Sequence, residues 1–177
     1  MFTDPVKNLK QFGLWENMVV ADLGAGTGFY TLAAAEMVPQ GKVYAIEIQA
    51  DFVNVIKNKI KEKGFNNVNC FLGNVEKIGG TLLGDETVDR VIASNILFQI
   101  ENKDRFIEEI KRILKMTGKV LLVDWSDASS IHSNLRKIVP KEKAEEIFKA
   151  RGFILEKEIN VSEHHYGMIF KKGSVAP

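Results

Sequence analysis

The chain is 177 residues long, 45% hydrophobic and 27% charged, with a formal net charge of +1. That length gives room for one sizeable core, so a single domain over 1–177 is expected. Near-neutral charge provides no field to recruit nucleic acid or an anionic membrane, and no apolar run is long enough to span a bilayer.

The opening, MFTDPVKNLK, has an acidic residue and a proline where a secretion signal needs an apolar core, which points to a cytoplasmic protein. MVVADL (18–23) is a continuous apolar run of strand length, as a parallel strand covered on both faces requires. FYTLAAAEMV follows as a helix, ended by PQG (39–41), and KVYAIEI (42–48) reads as the second strand. ADFVNVIKNKIKEKG places Phe52, Val53, Ile56 and Ile60 on one helical face and stops at Gly64. NVNCFLG (67–73) is a third strand. It holds Cys70, the only cysteine, so neither an internal disulfide nor a thiolate metal cluster is possible and no metal is expected.

TVDRVIAS (87–94) is a fourth strand, and KDRFIEEIKRILKMTG predicts a helix closing on Gly118. KVLLVDW (119–125) is a fifth strand, and 126–139 is polar and irregular. PKEKAEEIFKARG opens on Pro140 and stops at Gly152, with Ala144, Ile147 and Phe148 inward. FILEKEINV and HHYGMIFKK close the chain as an antiparallel strand pair at one end of the sheet. Strands alternating with helices of this length give an α/β, doubly wound, Rossmann-like sandwich: a mostly parallel seven-stranded sheet with an antiparallel terminal pair. Ligands of such sheets bind beyond the carboxyl ends of the strands.

At the first of those ends stands DLGAGTG. Gly24, Gly26 and Gly28 lie at alternate positions, unlike the dinucleotide fingerprint, whose second and third glycines have two residues between them. Asp22, just before the turn, would repel a pyrophosphate and favour a cation. Glu47, at the end of the second strand about 20 residues on, suits ribose hydroxyls. S-adenosylmethionine meets these demands: it has a ribose and an adenine, no phosphate, and a sulfonium plus an ammonium. Its carboxylate could take backbone N–H groups at the helix start.

VVADLGAGTGFYTLAAAE resembles motif I of class I S-adenosylmethionine-dependent methyltransferases, and VYAIEI resembles their acidic second strand. GNVEKI (73–78) occupies the place of their adenine-contacting loop. TVDRVIASNILFQIENKDRFIEEIKRILKMTGKVLLVD is similar to their fourth strand, the loop after it, the following helix end and the fifth strand. The likeness covers about residues 12 to 171 in order and is nearest to the small, single-domain prokaryotic branch related to ubiquinone and menaquinone methyltransferases. It implies a cofactor set of Asp22, Gly24, Ala25, Gly26, Gly28, Glu47, Ile48, Asn74, Val75 and Asn95. Asn95 either lines the sulfonium and substrate side or caps the next turn. Where the family often has Gly-Asp, this chain has Gly73-Asn74, an amide that can still bond the adenine edge.

Methyl transfer from a sulfonium needs alignment more than acid–base help, and no base motif stands out, so no catalytic residue is assigned. The resemblance implies an S-adenosylmethionine-dependent methyltransferase with a small-molecule acceptor. A noncatalytic module binding the cofactor or its product is the alternative, and a nicotinamide oxidoreductase is disfavoured by Asp22 and the glycine spacing. Three segments are available to cover the acceptor side: Phe2 to Pro5, Ser126 to Val139, and His164 to Tyr166. His132, Arg136, His165 and Tyr166 are therefore expected to affect turnover while sparing cofactor affinity. Asp89 and Asp124 are expected to be structural.

Overall fold

A computed structural model describes residues 3–126 and 138–173. Its elements are α1 (Pro5–Phe12), β1 (Val19–Leu23), α2 (Phe29–Met37), β2 (Lys42–Glu47), α3 (Ala50–Lys63), β3 (Val68–Leu72) and β4 (Val88–Ser94). They continue with α4 (Lys103–Ile113), β5 (Leu114–Trp125), α5 (Lys141–Ala150), β6 (Phe153–Ser162) and β7 (His165–Lys172). The strands form one sheet in the order β3-β2-β1-β4-β5-β7-β6. β1 to β5 pair in parallel, and β7 runs antiparallel to both β5 and β6. The architecture is therefore the expected α/β sandwich. Its strand order reverses between β1 and β4, which opens a crevice beyond their carboxyl ends.

Two apolar layers hold the sheet. One joins Leu23, Val91 and Leu122 to Phe106 and Ile110 of α4 and Phe148 of α5. Phe148 stacks on Phe170 of β7 with ring centres 4.6 Å apart. The other layer joins Val20, Val43 and Leu121 to Leu9 and Phe12 of α1 and Ala34 of α2. Among the described residues no helix is long and apolar enough to cross a membrane.

Two elements differ from the reading of the sequence. α1 has no counterpart in it, although Asp4 accepts the Lys7 N–H as the N-cap, Pro5 stands at the first helical position, and Gly13 ends the helix left-handed. The helix expected to close on Gly118 ends at Ile113, because Leu114 turns extended (φ −81°, ψ 129°) and pairs with Val88, where its side chain is fully buried. Tertiary burial overrides a helical pattern that local spacing extends too far.

Behind the crevice, Glu109 of α4 fastens the loop between β3 and β4. It accepts the Gly79 and Thr81 N–H groups, the Thr81 hydroxyl and the Arg112 guanidinium. Burial pushes its carboxyl upward, but those donors outweigh burial and hold it at about 2. Asp89 and Asp124 are structural, as expected: Asp89 accepts the Val19 N–H and the Lys115 amine, and Asp124 accepts the Leu97 and Trp125 N–H groups.

Candidate functional site

A cavity of about 640 Å³ lies over the carboxyl ends of β1, β2 and β4. Asp22, Gly24, Ala25, Gly26, Glu47, Ile48, Asn74, Val75 and Asn95 all line it. Gly28 is absent from the wall. It caps α2, and an added Cβ there would meet Ile56 at 3.1 Å, so this glycine serves packing of α2 on α3. Gly24 is likewise held by packing, since a Cβ would fall 2.2 Å from Ile96 Cδ1. Gly26, also in the wall and at φ +54°, differs in its surroundings, since a Cβ there would find nothing within 4 Å. Open space over a backbone that favours glycine is the form of a cradle.

The two carboxylates organise the turn from either side. Glu47, 5% exposed, accepts the Gly26 N–H on Oε2 at 2.8 Å and the Ile48 and Gln49 N–H groups on Oε1 at 2.8 and 2.9 Å. Asp22, 2% exposed, accepts the Thr31 hydroxyl at 2.6 Å. Burial pushes the Asp22 carboxyl from 3.8 up to about 6, against the pull of Thr31 and with a further push from the Glu47 charge. From α3, the Lys59 amine bonds the Thr27 carbonyl at 2.8 Å and pins the turn from outside.

At the β3 end, Asn74 Oδ1 accepts the Glu76 N–H at 2.9 Å, leaving its NH₂ as the group it can offer a ligand. At the β4 end, Asn95 adopts φ +53°, its N–H bonds the Val123 carbonyl, and its Oδ1 is buried without a partner. That oxygen therefore caps nothing among the described residues, and Asn95 is one of the residues that line the cavity. Ser94 lines the same edge, with its Oγ buried close to the Tyr30 hydroxyl.

Asp22, Glu47, Glu76 and Glu101 line the cavity, and among the described residues no lysine, arginine or histidine does. Such a wall opposes a pyrophosphate and suits a ligand bearing positive charge. The open cradle at Gly26 and the carboxylates of the wall fit S-adenosylmethionine. No described group of histidine, cysteine and carboxylate residues could hold a metal ion.

Reading the sequence alone misses Tyr30, Ser94 and Thr3, which also line the cavity. Thr3 arrives with α1, whose capping signals were the available clue. His165 and Tyr166 fall on β7, outside the wall: His165 stacks against Trp125, and Tyr166 donates to the Val139 carbonyl at 3.0 Å. His132 and Arg136 lie outside the described residues.

A family model described as a methyltransferase domain matches residues 14–172. Among solved structures, a SAM-dependent methyltransferase from Aquifex aeolicus is 30% identical, with a TM-score of 0.86 over 95% of this chain and 89% of that one. A ubiquinone/menaquinone biosynthesis C-methyltransferase of Hydrogenovibrio crunogenus is 34% identical over 116 residues, 64% of this chain and 44% of that protein. A demethylmenaquinone methyltransferase of Anoxybacillus flavithermus is 28% identical over 124 residues, 70% of this chain and 51% of that protein. The chain thus spans about half the length of these curated relatives.

Proposed function

The chain belongs to the S-adenosylmethionine-dependent methyltransferases, and from that premise we propose that it acts as one domain, transferring a methyl group from S-adenosylmethionine to a small-molecule acceptor. The observation that carries this reading is the cavity wall, with four carboxylates and no described cationic side chain over a glycine cradle.

When bound, S-adenosylmethionine supplies a methyl group already activated by the sulfonium charge. Glu47 accepts from the ribose hydroxyls with the lone pairs its three backbone bonds leave free, and the Asn74 amide donates to the adenine edge. Asp22 balances the ammonium, while Ala25, Ile48 and Val75 supply apolar contact. Gly26 leaves room for the ligand, and Asn95 faces the reacting side. Positioning of this kind supplies ~7–11 kcal/mol of a methyl-transfer barrier without a general base.

Phe29, Phe52, Ile96 and Ile100 provide an apolar wall for the acceptor. That wall, with relatives named for quinone C-methylation, supports an uncharged aromatic ring as the acceptor. The test is calorimetry with S-adenosylmethionine, S-adenosylhomocysteine and NAD, then radiolabelled methyl transfer to demethylated quinols. The first two ligands should bind and NAD should not. NAD binding as tight as that of S-adenosylmethionine overturns the reading, and binding without transfer leaves a cofactor-binding module in its place.

A further inference from the structure

Glu109 of α4 is fully buried and stands outside the cavity wall. Desolvating a carboxylate is expensive, and a well-packed apolar side chain often serves stability as well, so its use lies in the geometry it imposes. Oε2 accepts the Gly79 N–H at 2.8 Å, while Oε1 accepts the Thr81 N–H at 3.2 Å and the Thr81 hydroxyl at 2.6 Å. The Arg112 guanidinium closes the other side of the carboxylate through Nε and Nη2, at 2.9 and 2.8 Å. The two oxygens thus grip the residues on either side of Gly80.

Gly80 is where the loop between β3 and β4 folds back on its own start. A Cβ added to Gly80 would collide with the Asn74 carbonyl oxygen, and one added to Gly73 would collide with the Gly80 carbonyl oxygen. The Asn74 carbonyl also accepts the Lys77 N–H at 3.1 Å, and the Lys77 carbonyl accepts the Gly80 N–H at 2.8 Å. The backbone at Asn74 is therefore seated on the segment that Glu109 holds. Its side chain is locked to that backbone, because Asn74 Oδ1 accepts the Glu76 N–H at 2.9 Å, and the NH₂ is the group left for a ligand. A shift of Gly80 must move that amide. A second tie, from Glu76 Oε2 to the Asn102 N–H at 2.7 Å, keeps the near limb of the loop against the start of α4. Loss of the Glu109 grip would thus misplace the amide without releasing the loop.

We infer that Glu109 positions the Asn74 amide, acting through Gly80, and so sets the selectivity of the site for its nucleobase. The inference rests on the cofactor reading above. An amide NH₂ suits adenine, whose N1 accepts a hydrogen bond, and rejects hypoxanthine, whose N1 carries a proton and donates. A site that pairs one base and leaves a donor facing a donor with the other discriminates well, provided the amide is held in place.

The test compares S-adenosylhomocysteine with S-inosylhomocysteine, which differs only at the base edge, by calorimetry. The unmodified protein should bind the adenine ligand about tenfold tighter or more, the size of one hydrogen bond replaced by an unpaired donor. Glu109→Gln keeps the side-chain size but sets an amide NH₂ against N–H donors, and it should lower that ratio about fivefold or more. Gly80→Ala, which pushes on the Asn74 carbonyl, should do the same, and it carries the test if Glu109→Gln does not fold. Phe148→Leu, a core change on α5, should lower the melting temperature and leave the ratio alone. A ratio retained in either folded loop variant, or lost equally in Phe148→Leu, overturns the inference while the cofactor reading stands. A ratio near one in the unmodified protein does the same. Failure of the unmodified protein to bind S-adenosylhomocysteine removes the cofactor reading itself.

Discussion

Glu47 Oε2 accepts the Gly26 N–H at 2.8 Å, across 21 residues of chain, and so ties the end of β2 to the middle of the glycine turn. The sequence suggests a strand-end carboxylate free to face a ribose. The structure shows one that also holds the cradle together.

Glu47→Ala therefore acts on the fold as well as on the ligand. It leaves the Gly26, Ile48 and Gln49 N–H groups without their acceptor, at a cost of roughly 1–3 kcal/mol. The expected outcome is a lower melting temperature together with a dissociation constant for S-adenosylmethionine raised by about tenfold or more. Calorimetry and thermal melts on the same sample separate the two effects. An unchanged melt would show that the three bonds add nothing to stability.

Gly24 and Gly26 should respond oppositely to a methyl group. Gly24→Ala drives Cβ into Ile96 Cδ1, 2.2 Å away, so it should destabilise by about 1–3 kcal/mol, and Ile96→Val, which removes that atom, should restore part of the loss. Gly26→Ala adds a methyl to open space and should cost the fold only about 1 kcal/mol of backbone strain, while cofactor binding falls sharply. A double-mutant cycle in denaturant checks the first claim. Retained cofactor affinity in Gly26→Ala would remove Gly26 from the ligand-facing set.

A pH dependence follows from Asp22. Burial raises its carboxyl from 3.8 to about 6 in the fold, so the folded state holds the proton more tightly than the unfolded chain. The stability this contributes is present below 3.8 and is lost as pH rises through about 6. Asp124, raised to about 6 mainly by burial, adds in the same direction. Between pH 4.5 and 6 these two carboxyls should lower the melting temperature of the free protein, partly offset by His165, whose imidazole burial holds at about 4 and which therefore favours the fold as pH rises over the same window. Ligand affinity runs the other way, because an ammonium prefers ionised Asp22. The affinity for S-adenosylmethionine should rise about tenfold from pH 5 to 7, following the ionised fraction, while that for 5′-methylthioadenosine, which lacks the amino-acid group, stays flat. A flat profile for both ligands would detach Asp22 from the ammonium.

Sheet and helix periodicity made the strand alternation legible, because runs such as VVADL are apolar throughout and sit fully covered. The lining set at the strand ends was legible through the glycine spacing and the acidic residue of β2. Gly28 was not separable from Gly24 and Gly26, since what distinguishes them is the neighbour each meets: Ile56, Ile96 or open space. Tyr30 and Ser94 carry no motif, and their place in the wall comes from where α2 begins and β4 ends at the crevice. Local pattern cannot show which distant surface a short helix covers.

β7 gives the last expectation. Tyr166 donates its hydroxyl to the Val139 carbonyl at 3.0 Å, fastening β7 to the segment before α5, and burial pushes its phenol upward so that it stays protonated. His165 accompanies it with its ring centre 4.0 Å from that of Trp125, and burial holds its imidazole down at about 4, so it is neutral near pH 7. Neither lines the cavity. Tyr166→Phe should therefore lower stability by about 1 kcal/mol, the value of one buried hydrogen bond, and leave both cofactor affinity and turnover unaltered. The expectation from sequence is the opposite, that changes at the two residues alter turnover while sparing cofactor affinity. Thermal melts paired with steady-state kinetics on a quinol acceptor decide between them. A fall in kcat in a Tyr166→Phe protein that melts normally and binds the cofactor normally would return β7 to the acceptor side.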